Sequence, residues 1–147
     1  MNTPTIPSLS ETRSSVVLVV TDEERLQRKV RSLQHRQQTE YPASDASAEA
    51  LQLCLSPDEV LDALRAVMQA SSVNPPLVFV DLHAATFDGY ELCCQIKEEF
   101  PNVQTIGSSL GVDVAVVQKS KLFKVDVLLQ RYKFEELLRK VAAVVRE

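Results

Sequence analysis

Two short runs constrain this chain more than anything else in it. Val16–Val20 and Leu77–Val80 contain no polar residue and consist mostly of β-branched side chains. Runs of this length and composition read as strands covered on both faces, because a strand with one wet face alternates apolar and polar residues. A strand covered on both faces needs helices above and below its sheet, and the rest of the chain supplies helical patterns between the candidate strands.

After Val20, Thr21 and Glu24 have capping-box spacing, and Leu26, Val30 and Leu33 come next at helical period. Gln37–Glu49 has no period, contains Pro42, Ser44, Asp45 and Ser47, and reads as a long loop. Leu51–Leu55 reads as a short strand. Ser56-Pro57-Asp58-Glu59 is a helix start, with Ser as cap, Pro at the first helical position and Glu able to reach back. Leu61, Leu64 and Met68 give that helix an apolar stripe. Asn74-Pro75-Pro76 breaks the chain before Leu77–Val80, which ends on Asp81. Leu92, Cys93, Ile96 and Phe100 mark a third helix closed by Pro101. Val103–Ile106 is a fourth strand, Val112–Lys124 a fourth helix and Val125–Leu129 a fifth strand. Phe134, Leu137, Leu138, Val141 and Val145 form the stripe of a last helix. The alternation predicts an α/β fold, a doubly wound parallel sheet of five strands, over residues 16–147, preceded by a flexible Ser/Thr/Pro-rich arm at 1–15.

A chain of 147 residues is long enough to bury one core without disulfides or metal. Its net charge of -4 comes without a basic stripe, which argues against direct nucleic-acid binding by this domain. Cys54, Cys93 and Cys94 are odd in number and lie in apolar segments, so they read as small buried hydrophobes in a reducing compartment. Met1–Ser15 is polar, with Pro4 and Pro7, and does not read as a signal peptide. No apolar run reaches membrane-spanning length, so the expected location is cytoplasmic, with no membrane partner.

In sheets of this kind, chemistry collects at the carboxyl ends of the strands. The polar residues there are Thr21 and Asp22, then Asp81, then Ser108 and Ser109, then Gln130 and Arg131. Asp22 and Asp81 are expected to face each other across neighbouring strand ends. Close carboxylates repel, and Mg²⁺ relieves this with one or two carboxylates, waters and phosphate oxygens. Beside such an ion a carboxylate can take a phosphoryl group as an aspartyl phosphate. Each residue also has a plainer role. Asp22 can cap the first helix, Asp88 can be the N-cap of the third with Gly89 packing tightly, and Ser108 and Ser109 can be loop residues beside Gly107 and Gly111. His35 is expected in solvent. Asp81 is hardest to explain in this way, because a carboxylate ending a buried strand needs a partner.

Over about residues 16–146 the chain resembles the receiver domain of two-component response regulators. The resemblance rests on Val78-Phe79-Val80-Asp81, on Asp88-Gly89 seven residues further, on Gln95-Ile96-Lys97-Glu98-Glu99-Phe100-Pro101 and on Phe134-Glu135-Glu136-Leu137. It implies the flavodoxin-like receiver fold with strand order 2-1-3-4-5. It implies Asp81 as phosphoacceptor, with Mg²⁺ held by Asp22, Asp81 and the backbone carbonyl of His83. Ser109, or Ser108 in a register shifted by one, would contact the phosphoryl group, and Arg131 would supply the cationic side chain. No turnover beyond self-phosphorylation and dephosphorylation is implied. The implied partners are a histidine kinase or phosphotransfer protein, an output domain or partner protein on the fourth helix, fifth strand and fifth helix, and a homodimer.

The chain also departs from the family. Thr21 replaces the first acid of the pair, Ala85 stands where Pro is common, and Leu128 occupies the usual aromatic switch position. The Lys-Pro after the fifth strand is replaced by Arg131-Tyr132 in one alignment and by Gln130-Arg131 in the other. Two functions are compatible with this pattern: a working receiver switched by phosphorylation of Asp81, or a pseudo-receiver that keeps the fold as a regulatory or interaction module. A small nucleotide-binding domain is disfavoured, since no glycine-rich loop comes after the first strand and the chain holds only 3 glycines.

Overall fold

The computed structural model describes residues 16–40, 51–69 and 75–144. The expected arm at 1–15 lies outside the described residues, as do the 41–49 portion of the expected loop, Asn74 and Val145. The strands are β1 (Val17–Val20), β2 (Leu51–Cys54), β3 (Leu77–Asp81), β4 (Gln104–Ser109) and β5 (Val127–Gln130). The helices are α1 (Glu24–Glu40), α2 (Pro57–Gln69), α3 (Gly89–Glu99), α4 (Val114–Leu122) and α5 (Arg131–Val144). All pairings are parallel, and the sheet order is β2-β1-β3-β4-β5, as the resemblance implies.

The period-two geometry of the strands divides the core into two layers. Leu18, Val20, Val78 and Val80 face Val60 and Leu64 of α2 and Leu92, Cys93 and Ile96 of α3. Val17, Val19, Phe79 and Ile106 face Leu26 and Val30 of α1 and Phe134, Leu138 and Val141 of α5. Phe79 and Phe134 meet edge-to-face, with ring centroids 5.2 Å apart. Burying each such side chain stabilises the fold by about 1.5–3 kcal/mol.

Several boundaries differ from the sequence reading. The α1 helix runs through Glu40, so 37–40 are helical rather than loop. The buried face of α2 is Val60 and Leu64, while Met68 is exposed. The α4 helix is shorter than Val112–Lys124 because Asp113 caps it, its side chain accepting from the Val116 N–H at 2.9 Å. The early valines of α4 look like a core stripe, yet the helix buries only Ser120. The β4 strand runs three residues past Ile106, through a Gly-Ser-Ser that looks like a turn. Pairing on both sides, Asp81 with Ser108 and Ser109 with Gln130, draws those residues into the sheet. The α5 helix begins at Arg131, directly after β5, and not near Phe134.

Other expectations hold. Asp88 caps α3, its carboxylate accepting from the Glu91 N–H. Ser56 accepts from the Glu59 N–H, and Glu59 accepts in return from the Leu55 N–H. His35 is exposed. Cys54 and Cys93 are buried as expected, whereas Cys94 is only half-buried; all three are free thiols, and burial pushes Cys54 and Cys93 up to about 12. Among the described residues no helix is long and apolar enough to cross a membrane.

Candidate functional site

The layer facing α1 and α5 ends in polar groups. Val19, Phe79, Ile106 and Leu129 belong to that layer. Two residues further along the chain come Thr21, Asp81 and Ser108, which period two places on the same face, and Arg131, the first residue of α5, joins them through its bond to Asp81. Thr21, Asp81 and Ser108 are buried. The polar layer is thus the last storey of the core, with Asp81 in its middle strand.

Asp81 is satisfied entirely by protein donors. Its Oδ2 accepts from the Thr21 hydroxyl at 2.8 Å. Its Oδ1 accepts from the His83 backbone N–H at 3.0 Å and from Arg131 Nη2 at 3.1 Å. The side chain is 2% exposed, and that of Arg131 is 13% exposed. This meets the need of a buried carboxylate for a cation and hydrogen bonds. Arg131 also donates from Nη1 to Glu23 Oε1 at 2.6 Å. Thr21 does not complete a capping box with Glu24; its hydroxyl accepts from the Glu23 N–H at 3.0 Å while donating to Asp81.

The other expected site residues are placed differently. The Asp22 carboxylate is engaged by the loop after β3, where the Thr86 N–H and hydroxyl donate to it at 2.6 and 2.8 Å. Burial weighs against its charge, but the Thr86 bonds outweigh it and hold the carboxyl below its ordinary value. The His83 imidazole Nε2 lies 3.2 Å from Ser109 Oγ, and Ser109 donates to the Gly111 carbonyl at 2.5 Å. Ser108, not Ser109, is in register with Asp81. The Ser108 hydroxyl and Arg131 Nε are buried without a protein partner. Gln130 is exposed, so the cation that reaches the site is Arg131, the first residue of α5.

These residues do not form a Mg²⁺ ligand set as they stand. Thr21 offers no carboxylate, Asp22 accepts two bonds from Thr86 on Oδ2, and a guanidinium already neutralises Asp81. Among the described residues no group of three or more His, Cys, Asp or Glu side chains is placed to hold a metal. A hard cation that prefers carboxylates and water would have to displace Arg131.

Sequence reasoning missed three members. Glu23 reads only as part of a helix start, and its bond to Arg131 spans 108 residues. Thr86 carries no signal beyond being a polar loop residue. Glu135 is buried and accepts from Arg25 at 2.9 Å and from Lys29 at 2.8 Å. Burial opposes the charge of Glu135, but Lys29 and Arg25 prevail, so its carboxyl is held below the usual 4.5. A lowered carboxyl stabilises the fold above its unfolded value, and that contribution is lost as pH falls through the folded value. Urea midpoints of the wild type are therefore expected to drop below about pH 4.5, and Glu135→Gln is expected to flatten part of that acid limb. Parallel profiles for the two proteins would contradict the assignment.

No family model matches the chain, and no curated protein matches it. Solved structures do. The response regulator DrrB of Thermotoga maritima, an OmpR/PhoB homologue, is 20% identical with a TM-score of 0.59; the match covers 86% of this chain and 49% of DrrB, about half that protein's length. The signal receiver domain of a DNA-binding response regulator from Colwellia psychrerythraea is 15% identical with a TM-score of 0.59, over 88% of this chain and 98% of that one. The Mn²⁺-bound form of response regulator Rcp1 is 17% identical with a TM-score of 0.55, over 90% and 95%. With five parallel strands in the order 2-1-3-4-5, five helices and an aspartate at the end of the third strand, the chain has the fold of the response-regulator receiver domains.

Proposed function

We propose that this chain is a pseudo-receiver, a receiver-fold signalling module that works through protein contacts rather than by taking a phosphoryl group. The observation that carries this reading is the pairing of Arg131 with Asp81. To attack a phosphoryl donor a carboxylate needs a free oxygen, and the transferred group needs a cation to hold its oxygens. Here Oδ1 accepts two protein bonds and Oδ2 one, and the nearby cation is already bonded to the acceptor itself. The partner face is assigned to α4, β5 and α5. Val114, Leu122 and Tyr132 are 72%, 73% and 63% exposed there, an unusual concentration of large apolar side chains in water.

The test is treatment with acetyl phosphate or with beryllofluoride, each with Mg²⁺, and then mass spectrometry for the phosphoryl group and fluorine resonance for the fluoride. Wild type is expected to give no adduct on Asp81. An adduct on wild type that is missing from Asp81→Ala would replace this reading with that of a working receiver whose phosphoacceptor is Asp81.

A further inference from the structure

The charges around Asp81 continue past Arg131. Arg131 bonds Glu23 at 2.6 Å, and Glu23 Oε1 lies 4.0 Å from Arg25. Arg25 bonds Glu135 at 2.9 Å, and Glu135 bonds Lys29 at 2.8 Å. Acid and base alternate along a row from the buried Asp81 to the outer side of α1. Glu135 lies one turn beyond Arg131 on α5, so the row touches α5 twice and α1 at Arg25 and Lys29.

We propose that the charge of Asp81 is transmitted to α1 and α5 along this row, making that helix pair the element that responds to the site. The proposal rests on the reading of Arg131 as the resident cation of Asp81. Three features support it. The α5 helix starts at Arg131 with no residue between it and β5, so a move of the guanidinium acts on the helix's first turn. Arg131 Nε and the Ser108 hydroxyl are buried without protein partners, so the guanidinium keeps unused bonding capacity beside Asp81. The α4 helix shares no ion pair with the row among the described residues, and its side chains bury little.

Hydrogen exchange on the full chain tests this. Asp81→Asn keeps the shape and removes the charge. It is expected to speed amide exchange about ten-fold in 131–138 and 24–33, the size that losing a charge-assisted hydrogen bond supports. Segment 114–122 is expected to stay within about two-fold, as positions remote from a change do. Glu23→Gln, at a side chain 40% exposed and so tolerant of change, is expected to loosen the same two segments. Because both changes break one row, the double variant is expected to exchange no faster than the faster single. Changes confined to 114–122, or effects of the two substitutions that multiply, would overturn the proposal. The adduct experiment separates the two readings. An adduct on wild type, together with the expected exchange pattern, sinks the pseudo-receiver reading and leaves the α1–α5 response standing. No adduct and an unmoved α1–α5 pair does the reverse.

Discussion

Arg131→Ala is expected to destabilise the domain by about 3 kcal/mol, near the low end of the cost of removing one partner of a buried ion pair. The reason is the group left behind. Asp81 is 2% exposed and would keep the Thr21 hydroxyl and the His83 N–H but lose its only ion-pair partner among the described residues. The cost is therefore a charge stranded in a dry layer more than a bond lost. Removing that charge should recover much of it, so Arg131→Ala combined with Asp81→Asn is expected to be more stable than Arg131→Ala alone. Urea denaturation of the four proteins at neutral pH closes the cycle. If Arg131→Ala matches wild type, the pair is not what holds Asp81. Arg131→Lys is expected to fall between, since an ammonium cannot bond Asp81 and Glu23 from two ends of a planar fork.

Gly89→Ala is expected to cost about 2 kcal/mol, within the range for overpacking a tight site. A Cβ at this position would lie 2.6 Å from the Asp81 carbonyl oxygen and 2.9 Å from Leu82 Cα. Both are backbone atoms, so no side chain can rotate aside, and the small gain in helix propensity at the start of α3 does not offset the clash. The same change at Gly111, where a Cβ would meet nothing within 4 Å, is expected to move stability by less than about 0.5 kcal/mol. Equal thermal midpoints for the two variants would contradict this account. The Asp-Gly seven residues after Asp81 is thus explained without any ligand: Asp88 caps α3, and Gly89 lets that helix start against the backbone of the residue that ends β3.

The sequence is most legible where local pattern and tertiary burial agree. Val16–Val20 and Leu77–Val80 read as strands because nothing but two covered faces suits them, and the sheet order came from the resemblance. It is least legible where tertiary pairing overrides local composition. Gly107-Ser108-Ser109 looks like a turn and is strand, held from both sides by β3 and β5. The apolar start of α4 looks like core and is surface. At the site, Asp81 and the importance of Arg131 are visible in the sequence. The partners Glu23, Thr86 and Glu135 are not, because each acts across 64 or more residues of chain, and a single sequence carries no trace of that distance. Asp22 carries a bond that its position does not announce. Its place after β1 suggests a ligand, while its side chain ties two loops together.

The weak burial of α4 has a consequence for how the molecule holds together in time. Cooperative unfolding requires that each element lose something when its neighbours go, and a helix that buries one serine loses little. The β5 strand beside it sits at the edge of the sheet and is only partly covered. The domain is therefore expected to behave as a firm body of β1, β3 and β4 with α1, α2, α3 and α5 packed on them, carrying a flank of α4 and β5 whose opening costs less than global unfolding. A protein that seats on this flank would have to supply the entropy of quieting it, and its affinity would report how still the flank already is.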